Sequence, residues 1–163
     1  MGSGARLILA PGRRRPSKKI SMRLVATKAL GEDVVAAMTA DQIADAVVKL
    51  DKVRLDDECI DEIDNLEGLV AVTQLQLQRN RLQTICNLES LQHLQLLSLA
   101  SNDIMDLRNL TCLVTLKALD VSYNLLDEVD LLCLGCPCPA NLTYADSGPK
   151  DVLNLFLIAG SSL

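Results

Sequence analysis

Hydrophobic positions in the middle of the chain recur at one fixed spacing. Leu50, Val72, Leu94 and Leu116 stand 22 residues apart, and the positions three residues on read Val53, Leu75, Leu97 and Leu119. Five residues on from the same starting column come Leu55, Leu77, Leu99 and Val121, and ten residues on come Ile60, Leu82, Ile104 and Leu126. A polar column interrupts them eight residues in, at Glu58, Asn80, Asn102 and Asn124. The second half of each unit repeats as well. Ile63, Ile85, Leu107 and Val129 share a column, followed by Asn65, Asn87 and Asn109, then Leu66, Leu88 and Leu110, and Leu69, Leu91 and Leu113 close the units.

Each column has its own physical reason. Alternating apolar residues put two side chains on one face of a short strand, so stacked units bury a continuous aliphatic ribbon while the residues between face outward. The Asn column falls where the chain leaves the strand, and an amide that both donates and accepts can satisfy backbone groups of neighbouring turns. Asn80, Asn102 and Asn124 are therefore expected as a structural ladder. Glu58 departs from it, as a terminal unit does when nothing stacks on it from outside. The pattern L-x-x-L-x-L-x-x-N-x-L, four times without a gap, is that of leucine-rich repeats. The 22-residue period followed by Asn-Leu-x-x-Leu resembles the SDS22-like class, in which a strand is followed by a short 3₁₀-type turn. The predicted fold class is α/β: a leucine-rich repeat solenoid with short parallel strands and an N-terminal helical cap.

The cap is predicted from Thr39 to Leu50. Thr39 and Gln42 form a capping-box pair, and Ile43, Ala44, Ala46, Val47 and Leu50 fall at helical spacing. An amphipathic helix for a partner is the alternative, but an open solenoid end has to be covered. After Val129 the period breaks. The stretch from 131 to 151, rich in Gly and Pro, is expected as an irregular loop. Three thiols there, Cys133, Cys136 and Cys138, lack the fourth ligand of a structural zinc site, so no metal or other cofactor is expected. Val152, Leu155 and Leu157 then match the first three columns, which predicts a partial fifth repeat over 152–163. An incomplete last repeat suggests a truncated chain, an isoform, or a partner that covers this end. The divisions are a basic flexible arm at 1–19, a lead-in and helical cap at 20–49, four repeats at 50–130, the loop, and the partial repeat.

Composition narrows the function. Among 163 residues, 49% are hydrophobic but only 2% aromatic, so the core is aliphatic. The single His, His93, leaves little for acid–base chemistry near neutral pH, and an enzyme is disfavoured. No apolar run approaches the ~18 residues of a membrane span, and a secretory leader is not evident. The chain is read as intracellular and its six Cys as free thiols. The net charge of −5 conceals a split, since residues 1–28 carry eight bases and no acid. Such an arm could bind tubulin or another acidic surface, or remain a solvated tail. Without an aromatic residue to stack on bases, it is a poor nucleic-acid binder.

By register, the outward strand residues form the concave face, with Arg54, Gln76, Ser98 and Asp120 as its central column. These positions hold no Ser-His-Asp set and no Gly-rich phosphate loop, so the face reads as a docking surface. Arg79 and Tyr123, of types favoured in interface hot spots, complete the candidate partner-binding set.

The segment from Leu50 to Leu69, with Leu97-Ser-Leu-Ala-Ser-Asn102 and Leu119-Asp-Val-Ser-Tyr-Asn124, resembles the leucine-rich repeat-containing protein 46 family. The likeness begins at Ile20-Ser-Met-Arg-Leu24, continues through Thr27-Lys28 and Leu30, and covers about residues 20–130, with Leu153 to Gly160 similar to the family's next repeat. The loop at 131–149 and the early end depart from it. The resemblance implies a scaffold of the motile-cilium or flagellar axoneme, in the cytoplasm and cytoskeleton, with radial-spoke subunits among its partners. An SDS22-like phosphatase regulator or cytosolic adaptor is the alternative. A leucine-rich axonemal dynein light chain shares the architecture, but its characteristic terminal sequence is not found.

Overall fold

The computed structural model describes residues 16, 18–126, 142–146 and 155–159, the last two segments as backbone strands. Three helices, α1 (Met22–Leu30), α2 (Glu32–Ala36) and α3 (Ala40–Val47), precede the repeats. Then come four three-residue strands, β1 (Lys52–Arg54), β2 (Gln74–Gln76), β3 (Leu96–Ser98) and β4 (Ala118–Asp120). They pair in parallel, each residue with its counterpart 22 positions on: Val53 with Leu75, Leu75 with Leu97, Leu97 with Leu119. The column assignment made from sequence is thus the strand register itself. Leu55, Leu77, Leu99 and Val121 are fully buried, as are Ile60, Leu82 and Ile104. The inner columns Leu66, Leu88, Leu110 and Leu69, Leu91, Leu113 complete an aliphatic core.

The return half of each unit turns tightly. Leu69 N donates to Leu66 O, Leu91 N to Leu88 O and Leu113 N to Leu110 O, bonds that span three residues. Among the described residues only the third unit extends this into a 3₁₀ helix, Arg108–Cys112, as expected for a compact repeat with no room for a longer helix.

The Asn ladder works from both ends of the amide. Asn80 Oδ1 accepts from Glu58 N (3.1 Å) and Ile60 N (3.0 Å), while its Nδ2 donates to Leu55 O and Leu77 O, both at 2.8 Å. Asn102 accepts from Leu82 N and donates to Leu77 O and Leu99 O; Asn124 accepts from Ile104 N and donates to Leu99 O and Val121 O. Each Asn therefore joins its own unit to the preceding one. A second ladder runs through the return half, where Asn87 Nδ2 donates to Ile63 O (2.8 Å) and Asn109 Nδ2 to Ile85 O (2.6 Å).

At the N-terminal end two expectations need correction. Lys18 lies inside the span expected to be a flexible arm, yet it bridges Ile60 in parallel, its N–H donating to Cys59 O at 3.2 Å. Asn65 Nδ2 donates to Ile20 O (2.9 Å), continuing the second ladder, so the fully buried Ile20 stands where a preceding repeat would place its backbone. The first unit is thus covered by a half-repeat, and Glu58 does not face an empty end. The helical cap is as predicted in α3. Thr39 Oγ1 accepts from Gln42 N, and Gln42 Oε1 accepts from Thr39 N. Ile43 and Val47 supply its buried stripe. The lead-in adds α1, which packs on β1, α2 and α3, and whose Met22 reaches over Gly68, where any Cβ would collide with the methionine methyl.

The other end differs in direction. Two further strands follow in the chain, β5 (Leu142–Asp146) and β6 (Leu155–Ala159); β6 lies beside β4 and runs antiparallel to it, Leu119 opposite Leu157, and β5 lies next to β6, antiparallel again. The parallel register of a fifth repeat is not continued, and part of the expected loop is a strand. Cys133, Cys136 and Cys138 lie outside the described residues. No helix among the described residues is long and apolar enough to cross a membrane.

Candidate interaction surface

The strand register brings the predicted central column together. Arg54 is opposite Gln76, Gln76 opposite Ser98, and Ser98 opposite Asp120. Because inward residues alternate with outward ones, the buried Leu and Val of each strand fix the outward direction of these four side chains. Gln74, Gln76 and Gln78 follow the same alternation, three amides in succession on one repeat.

Arg79 and Tyr123 occupy a different position. With Asp57 and Ser101 they form a column of left-handed residues, φ 61°, 56°, 55° and 55° in chain order, at the turn immediately before the ladder column. Left-handed backbone is costly for residues with a Cβ, and the bonds on either side hold it in place. Arg79 N donates to Ala100 O and Ser101 N to Ser122 O. Arg79 and Tyr123 are therefore presented at the rim of the strand face rather than within it, and Tyr123 is 59% exposed. The signal that could have found this column was its position, two residues beyond the last strand leucine, since its residue types share nothing.

Charge on the face is organised around Asp56. Arg54 Nε lies 3.4 Å from Asp56 Oδ1 and Arg79 Nη2 lies 3.2 Å from Asp56 Oδ2, so one carboxylate sits between two guanidinium groups. Both arginines stay largely exposed while Asp56 is mostly covered. At the far end, Asp120 Oδ1 accepts from Ser122 Oγ (2.6 Å) and Ser122 N (3.1 Å), so that acid is held by its own turn. The strand register already put Asp56 on the same outward face as Arg54; what the sequence did not announce is that this one carboxylate ties Arg54 to Arg79.

A separate charged cluster, also missed, lies at the lead-in. Glu58, 6% exposed, receives Lys18 Nζ at 2.6 Å and pairs with Lys28 as well. Burial alone would raise the Glu58 pKa, but the two ammonium groups outweigh it and hold the carboxyl below its usual value. This cluster fastens the lead-in to the first repeat, with the carboxylate covered and both lysines still partly exposed. Among the described residues no group of His, Cys, Asp and Glu could hold a metal ion. Cys59, Cys86 and Cys112 carry free thiols.

No protein-family model matches the chain, and no curated protein matches it. Solved structures do. An internalin of Listeria monocytogenes, InlF, is 20% identical with a TM-score of 0.54, over 66% of this chain and 31% of that one. The functional domain of InlJ from the same organism, described as including a cysteine ladder, is 24% identical with a TM-score of 0.47, over 54% of this chain and 19% of that one. The chain thus spans a third or less of the length of these structures. With a parallel sheet registered at 22 residues, an Asn ladder and the match to the internalin InlF, the fold is that of a leucine-rich repeat solenoid.

Proposed function

We propose that this chain is a non-catalytic protein–protein interaction scaffold that binds through its concave face. The observation that carries this reading is the in-register column Arg54, Gln76, Ser98 and Asp120, outward side chains presented by a sheet whose other face is locked into the core. A rigid array of side chains without an arranged nucleophile and base suits docking rather than turnover. The resemblance drawn from Ile20 to Leu30 and from the repeats supports an axonemal setting, with radial-spoke subunits as partners and the basic arm available to tubulin.

The test is made in a ciliated cell. A photo-crosslinking residue is placed at Gln76 or Ser98, and as a control at Glu89 in the opposite turn. Retention on demembranated axonemes through salt extraction, with crosslinks to radial-spoke proteins from Gln76 and Ser98 only, supports the axonemal scaffold. Release into the soluble fraction with crosslinks to a phosphatase favours the regulator. Crosslinks from Glu89 alone would remove the concave face from the reading.

A further inference from the structure

The geometry points to an extended acidic peptide as the ligand of the first two repeats, with its carboxylates on Arg54 and Arg79 and its backbone on the glutamine row. This rests on the docking role of the concave face and specifies the chemistry that face takes.

Two guanidinium groups share one carboxylate at Asp56, leaving one surplus positive charge. Asp56 spends one oxygen on each arginine and so fixes both heads near one another, while each keeps further N–H donors for a second carboxylate. Arginine's forked donors match a carboxylate in two parallel hydrogen bonds, and ordering them in advance lowers the entropy lost on binding. Lys52, exposed on the same strand as Arg54, adds a third cation, against the exposed Asp57.

Gln78 gives the second, independent observation. Its Oε1 is buried and accepts no hydrogen bond, the only such side-chain atom found among the described residues. A buried acceptor without a donor is costly, and in native proteins it calls for an explanation. The residue as a whole is only partly buried, so a turn about its soft terminal torsion would be what offers this oxygen to a peptide N–H. With Gln74 and Gln76 it forms a row of amides at strand spacing, which matches the alternating donors and acceptors of an extended backbone. The face has no aromatic residue over its first two repeats on which bases could stack, which favours a peptide over nucleic acid.

The experiment uses the full chain and three fluorescent twelve-residue peptides, alternating Ser with Glu, Gln or Lys, read by anisotropy. The Glu peptide is expected to bind about tenfold or more tightly than the Gln peptide. The R54E/R79E variant, whose exposed substitutions are checked by a thermal melt, should reverse this and favour the Lys peptide. If it fails to fold, Arg54→Gln with Arg79→Gln serves instead and should abolish the preference. Gln78→Ala should weaken the Glu and Gln peptides alike by several-fold. Equal binding of Glu and Gln peptides by the unaltered chain, an unchanged preference in the charge variants, or stronger binding of single-stranded nucleic acid would overturn the inference. Concave-face crosslinks that persist alongside any of these results leave the scaffold reading standing. Crosslinks confined to Glu89 would sink that reading instead.

Discussion

The ladder position of the first repeat and the same position in the later ones solve one problem by different means. Asn80, Asn102 and Asn124 are neutral amides that satisfy, and are satisfied by, backbone groups of their own and the preceding unit. Glu58 has no preceding full unit to bond to. It is an almost covered carboxylate held by Lys18 and Lys28, which belong to a half-repeat and a helix. An amide there would bind another repeat; a carboxylate selects a basic cover. The difference teaches that this solenoid marks its beginning by charge, whereas its interior is held by neutral hydrogen bonds that carry no long-range electrostatic cost.

The comparison can be broken from the interior outward. Leu99→Asp places an unpaired charge in the fully buried column beneath the ladder and is expected to unfold the array, at a cost of several kcal/mol or more. A soluble variant with an unaltered cooperative melt would contradict the register. Asn102→Ala is expected to cost about 2–4 kcal/mol in urea unfolding, because Leu82 N, Leu77 O and Leu99 O all lose their partner at once.

Glu58→Gln should cost less, about 1–2 kcal/mol, because both lysines are partly solvated and the ion pairs are screened. Its pH signature separates it from Asn102→Ala. A carboxyl whose folded pKa lies below its unfolded value stabilises at neutral pH, and that contribution is lost as pH falls below about 4.5 and through the folded pKa. Unfolding at pH 7 and pH 3 should therefore show a gap between the unaltered chain and Glu58→Gln that narrows on the acid side. A gap of equal size at both pH values would mean that Glu58 acts through packing alone. Tyr123→Ala, at an exposed rim position, is expected to change stability by less than about 0.5 kcal/mol while weakening partner capture from the concave face. Undiminished capture would remove that residue from the surface.

How much of this was legible follows from what repeats and what does not. The buried columns, the strand register and the Asn ladder could be read because periodicity and residue type coincide there. The Thr39–Gln42 cap was legible because its two halves are three residues apart. The partners of Glu58 were not, since Lys18 is 40 residues away and stands outside the 22-residue columns of the sequence. The left-handed column at Asp57, Arg79, Ser101 and Tyr123 is a backbone property that no shared side chain announces. The direction of the strand at Leu155–Ala159 escaped for a simpler reason. An alternation of period two reads the same in both directions, so Leu155 and Leu157 fit a parallel repeat and an antiparallel strand equally well.

That reversed strand bears on growth. A parallel solenoid resembles a polymer with an active end, each turn offering the template for an identical next turn, and two such ends can join into a fibre. The edge of β4 is instead occupied by a strand of opposite polarity, which offers no 22-residue template to a following repeat. It acts as a chain terminator: lengthening this array by duplicating a repeat would have to be done between β1 and β4, where each turn still meets a copy of itself.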